Sequence, residues 1–84
     1  MTNPNYVSLN ALILPPGVRS VVDRLRAQIE VAETVQGVNM AAQRAEGFVL
    51  GLETSGGYKT DQVETLYIGF EAVAQSRREA LRHA

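Results

Sequence analysis

Apolar side chains recur along this chain at helical intervals, and three such stretches can be followed in turn. Val18, Val21, Val22, Leu25, Ile29 and Ala32 fall mainly at three- and four-residue steps, leaving Arg19, Asp23, Arg24, Arg26 and Glu30 largely on other faces. That spacing writes one apolar stripe on a 3.6-residue helix. Pro15-Pro16-Gly17 precedes it, and a proline both bars helical geometry from the residue before it and suits a first helical position, so the helix is predicted to open near Pro16. Continuing the stripe beyond Ala32 meets polar Gln36 and Asn39, where a second stripe takes over: Val31, Val35, Val38, Ala42, Ala45, Val49, Leu52. Its alternation of four and three is the seam spacing of packed helices. Gly37 stands near the shift and marks the expected break or kink, leaving one bent helix or two separate ones as alternatives.

Glu53-Thr54-Ser55-Gly56-Gly57-Tyr58 carries a glycine pair that can end a helix in left-handed conformation and reverse the chain. Thr60 or Asp61 is then placed to cap a last helix running from about Asp61 to Arg82, with Glu64 three residues after Asp61 as in a capping box. Val63, Leu66, Tyr67, Phe70, Val73, Ala74, Ala80 and Leu81 give this helix its apolar face, while acids at its start and Arg77, Arg78, Arg82 and His83 near its end match the helix dipole. The expected architecture is all-α: a helical hairpin or small bundle of two to three helices over residues 15–84, preceded by an extended N-terminal arm over residues 1–14. Gly47 and Gly51, one turn apart among Ala41, Ala42 and Ala45, predict a small-residue seam on which Tyr67 or Phe70 packs.

Composition sharpens this picture. At 84 residues and 45% hydrophobic, the chain fits one globular domain. Such a chain buries only roughly 60% of the surface its unfolded form exposes, so its core is thin and burial against a partner, with a homo-dimer first in line, is the expected supplement. There are no cysteines, which removes disulfides and thiolate metal sites and suits a reducing cytoplasm. Met1 to Asn5 shows no basic cluster followed by an apolar run, so no secretory signal is read there. The strongly apolar run Ala11–Leu14 falls far short of the roughly 20 residues that cross a bilayer. With eight Lys plus Arg against nine Asp plus Glu, net charge −1, no global field draws the protein to phosphate.

Candidate chemistry is sparse. His83 is the single histidine and sits one residue from the end, where nothing positions it as a base. The pairs Glu30 and Glu33, or Glu46 and Glu53, lack the Glu-x-x-His step of di-metal bundles and read as solvated faces. Gly51, Gly56 and Gly57 follow no phosphate-loop pattern, and Ser8, Ser20, Ser55 and Ser76 have no base available. No catalytic residue, metal site or cofactor is therefore expected. Arg77, Arg78 and Arg82 form a basic helix end that could touch nucleic acid, although Glu79 interrupts them and no aromatic residue interleaves for stacking. Tyr58, Tyr67 and Phe70, with Leu12 and Ile13 of the arm, are the candidate anchors of a protein interface.

The stretch from Ala45 to Tyr58, AEGFVLGLETSGGY, followed by Gln62-Val63-Glu64-Thr65-Leu66-Tyr67, resembles small bacteriophage and prophage proteins in which a Gly-Phe helix turns at glycine into a second helix with a small-residue, Arg-rich end. The likeness spans roughly Ala41 to Arg82. It implies an accessory protein of a phage or mobile element, a class that includes inhibitors of host defence, CRISPR among them, and modulators of host enzymes, acting in the host cytoplasm by covering a surface. The expected function is accordingly protein–protein binding without catalysis, to itself or to a host protein. A small nucleic-acid-binding regulator, or a virion or assembly component laced by its arm, are the alternatives.

Overall fold

A computed structural model describes residues 9–83 of the chain. Three helices follow one another, α1 (Pro16–Val31), α2 (Val35–Ser55) and α3 (Thr60–Arg82), and no strand occurs among the described residues. The protein is thus an all-α three-helix bundle, and of the two alternatives for its first half the separate helices are realised.

Each boundary has a local cause. Pro16 takes the first position of α1, where its missing N–H is no loss, and the Arg19 amide donates to the Pro15 carbonyl at 2.8 Å. The chain then extends at Ala32, and Thr34, also extended, accepts from the Gly37 amide through its hydroxyl at 2.9 Å. This threonine cap satisfies one of the otherwise orphaned amides of α2. The expected break at Gly37 therefore moves to residues 32–34, and Gly37 lies inside the first turn of α2. At the other end Gly56 adopts φ 79° and donates its amide to the Glu53 carbonyl at 3.3 Å, the left-handed stop that the glycine pair predicts. The N-cap of α3 is Lys59 rather than Thr60 or Asp61: the Lys59 amide donates to Gln62 Oε1 at 3.0 Å, so Gln62 supplies the back-bond expected of Glu64. Asp61 falls within the first turn, where its charge complements the helix dipole.

The core is assembled from Val22, Leu25 and Ile29 of α1, Val38, Ala41, Ala42, Ala45 and Val49 of α2, and Val63, Leu66, Phe70 and Ala74 of α3. Alanines on the inner face of α2 allow close approach, and Gly69 is the one buried glycine among the described residues. Gly47 and Gly51 do not form the expected seam: both are exposed, and a methyl group added at either would meet nothing within 4 Å. Each lies two residues beyond a buried position, Ala45 or Val49, which rotates it about 200° to the solvent side. Val31 likewise leaves the predicted stripe, 70% exposed, because α1 ends there.

Residues 9–12 turn and bend instead of running extended. Arg19 holds them: its guanidinium donates to the carbonyls of Leu9, at 2.7 Å, and Leu12, and pairs with Asp23 at 3.0 Å. Two charge-assisted bonds to backbone carbonyls fix the segment so that Leu9 drops into the core. Residues 1–8 of the expected arm lie outside the described residues.

Candidate partner-binding groove

A pair of antiparallel helices has a groove on each side. On one side α1 contacts both α2 and α3 and closes the groove with Val22, Leu25 and Ile29. The other side is open: a cleft of about 830 Å³ lies between Ala42 and Glu46 of α2 and Tyr67, Ile68, Phe70, Glu71, Ala72 and Gln75 of α3, with no α1 residue in its lining. Its floor is apolar because Ala42 and Phe70 belong to the core, and its walls are the exposed flanks of the two helices.

Side-chain contacts set the register of this pair. The Tyr67 hydroxyl lies 3.4 Å from Glu53 Oε1, and Arg78 Nε donates to Asn39 Oδ1 at 2.8 Å. Between those two rungs Ile68 stands level with Leu50, which continues the Ala42–Glu46 row by one turn. Ile68 and Leu50 are each 54% exposed; Ile68 lines the cleft, and Leu50 lies one turn beyond its lined stretch of α2. Around them the charge has one sign. Glu46 and Glu71 line the groove, Glu53 reaches Tyr67, and Glu64 precedes Ile68 by one turn on the same exposed face of α3. Among the described residues Glu46, Glu53 and Glu64 enter no ion pair, while Glu71 pairs with Arg78 at 2.9 Å. Partial burial raises the Tyr67 phenol above its usual pKa, and Glu53 and Glu46 push it further in the same direction. The phenol therefore donates to Glu53 as a neutral group at ordinary pH.

The sequence-predicted anchors separate. Tyr67 and Phe70 meet at the groove, but Phe70 is only 1% exposed and serves as floor, so it cannot insert into a partner as an interface anchor would. Tyr58 is half-buried beside the core after the glycine turn. Leu12 is half-buried as well, and Ile13, 89% exposed, lies outside the groove lining. Ile68 and Leu50, two of the exposed large apolar residues, were not singled out by periodicity. Their signal was an apolar residue out of phase with the stripe, two residues past Leu66 and one past Val49.

The three arginines are engaged within the molecule. Arg77 Nε donates to the Ala32 carbonyl at 2.8 Å, closing the α1–α2 joint from α3. Arg78 spans Asn39, Glu71 and Gln75, and Arg82 pairs with Glu79 at 3.2 Å. Arg77 and Arg78 tie α3 to its neighbours, whereas Arg82 stays 53% exposed in a pair within α3. A second, smaller cleft of about 420 Å³ between α1 and α3 includes Arg26, Glu30, Ser76 and Arg77, with Arg26 and Glu30 already paired at 3.2 Å. Among the described residues no cluster of potential metal ligands occurs, and no helix is long and apolar enough to cross a membrane.

No family model matches the chain, and neither a curated protein nor a solved structure does.

Proposed function

We propose that this protein is a non-catalytic binding module that docks another protein on the open side of its α2–α3 hairpin. The observation that carries this reading is Ile68, more than half exposed on the lining of a groove with an apolar floor, with Leu50 equally exposed one turn beyond Glu46 on α2. Large apolar residues with no structural role beside a concave surface are what an interface centre requires. The likeness of residues 41–82 to phage and prophage hairpin proteins supplies the setting, in which the partner is a component of a host system such as CRISPR defence and the compartment is the host cytoplasm. A second copy of the chain is a partner of the same kind. The engagement of Arg77, Arg78 and Arg82 in internal contacts argues against phosphate as the ligand.

The test uses Leu50→Glu and Ile68→Glu as baits beside the wild type, with far-UV circular dichroism to establish that each is folded. A partner retained by the wild type and lost by both variants, or a sedimenting dimer that both convert to monomer, is the expected result. Binding that both variants leave unchanged would remove the groove from the interface.

A further inference from the structure

We infer that the occupant of the open groove is a basic amphipathic helix, laid between α2 and α3 on the side opposite α1. This rests on the docking reading above and specifies its partner. The closed groove of the hairpin shows what fits between α2 and α3: a helix that presents one apolar stripe, Val22, Leu25 and Ile29, to both neighbours. The open groove is built for the same shape. From Tyr67 to Gln75 its α3 wall runs about 12 Å, enough for about two turns of a ligand helix.

Charge selects the kind of helix. Any occupant with its apolar stripe over Ile68 brings its flanks against Glu46 and Glu53 on one side and Glu64 and Glu71 on the other. Only Arg78 offsets these four carboxylates through a described ion pair, at the far end of the groove on Glu71. An acidic or uncharged flank would meet like charge or leave carboxylates to be desolvated unpaired. Lysines or arginines bordering the stripe would pair with them.

The test is fluorescence anisotropy of labelled peptides of about 14 residues (~21 Å as helix) with the intact protein. One peptide places Leu at i, i+3, i+4 and i+7 with Lys elsewhere, a second replaces every Lys by Glu, and a third scrambles the Leu/Lys order. The patterned Lys peptide is expected to bind at least about tenfold tighter than either control. Raising salt should weaken it, and it should lose about tenfold against both Glu46→Lys/Glu64→Lys and Ile68→Ser, all exposed positions. Amide shifts on binding should centre on Ala42, Glu46, Tyr67 and Ile68. Equal binding of the Glu peptide, equal binding of the scrambled peptide, indifference to the charge reversals, or shifts centred elsewhere would each overturn the inference. If the Lys peptide fails while a captured partner still depends on Leu50 and Ile68, the basic occupant falls and the docking reading stands. If partner binding is itself indifferent to those two residues, both fall.

Discussion

Replacing Gly47 and Gly51 by alanine should make this protein more stable. Both glycines lie in the interior of α2, where glycine costs about 0.8–1 kcal/mol relative to alanine because it has more backbone freedom to lose. A substituent can relieve that cost only if it has room, and a Cβ at either position meets no atom within 4 Å. The full propensity gain of roughly 1 kcal/mol should therefore be recovered at each site. For a domain of this size that corresponds to about 4–8 °C in melting temperature per substitution. The double variant should gain close to the sum, since the sites share no partner side chain. Thermal and urea unfolding followed by circular dichroism, with sedimentation velocity alongside, checks it. A close-packed seam would give the opposite sign: overpacking of about 1–3 kcal/mol for Gly47→Leu, and a loss even for alanine. Destabilisation of Gly47→Ala, or a fall in sedimenting mass, would refute the reasoning, because it would mean that another surface covers this face of α2.

Thr34→Ala removes the hydroxyl that receives the Gly37 amide and should cost about 1 kcal/mol in urea unfolding, with no change in sedimentation. Gly56→Ala, at φ 79°, should cost about 1–2 kcal/mol, whereas Gly57→Ala, whose nearest neighbour is the Ser55 hydroxyl at 3.9 Å, should be close to neutral; equal effects would contradict the left-handed stop. Phe70→Ala should cost about 3–5 kcal/mol, a large share of the whole stability of a small domain, and an effect below about 1 kcal/mol would show that the ring is not in the core. The phenol of Tyr67 titrates above its unfolded value, so the stability it contributes is complete below about pH 10 and is lost as pH rises through the folded pKa. Urea melts should thus show a steeper alkaline loss in wild type than in Tyr67→Phe, and identical profiles would deny the raised pKa.

Helix identity and most of the core were legible because they follow from period alone: Val22, Leu25, Ile29, Val38, Ala42, Ala45, Val49, Leu66 and Phe70 all lie where their stripes put them. The glycine turn was legible because only a glycine adopts φ 79° at little cost. What sequence misread were events decided between elements. Gly47 and Gly51 carry the same one-turn spacing whether they face a helix or water, and the deciding quantity, their phase relative to Ala45 and Val49, was outweighed by their smallness. The break at residues 32–34 depended on whether Thr34 or Gly37 would govern it, and a cap bond to the Gly37 amide settles that only once the chain has turned. Arg77, which reads as a dipole-complementing surface group, reaches 45 residues back in sequence to the Ala32 carbonyl, a contact no local pattern encodes.

The groove was invisible to periodicity for a related reason, and the energetics limit what can fill it. Among the described residues no buried side-chain nitrogen or oxygen lacks a partner, so the fold makes no polar demand that a ligand must satisfy. Binding must draw on apolar burial and on the carboxylates. Covering the exposed halves of Leu50 and Ile68 contributes about 1–1.5 kcal/mol each. Association costs at least about 4 kcal/mol in lost translation and rotation before any micromolar affinity, near −8 kcal/mol, is reached. Those two residues alone are therefore far from sufficient. The Tyr67 ring, the Ala42 and Ala72 methyls and several carboxylate pairs must be engaged together, so a ligand has to run the length of both walls; a short peptide or a small molecule touching Ile68 would gain too little to stay.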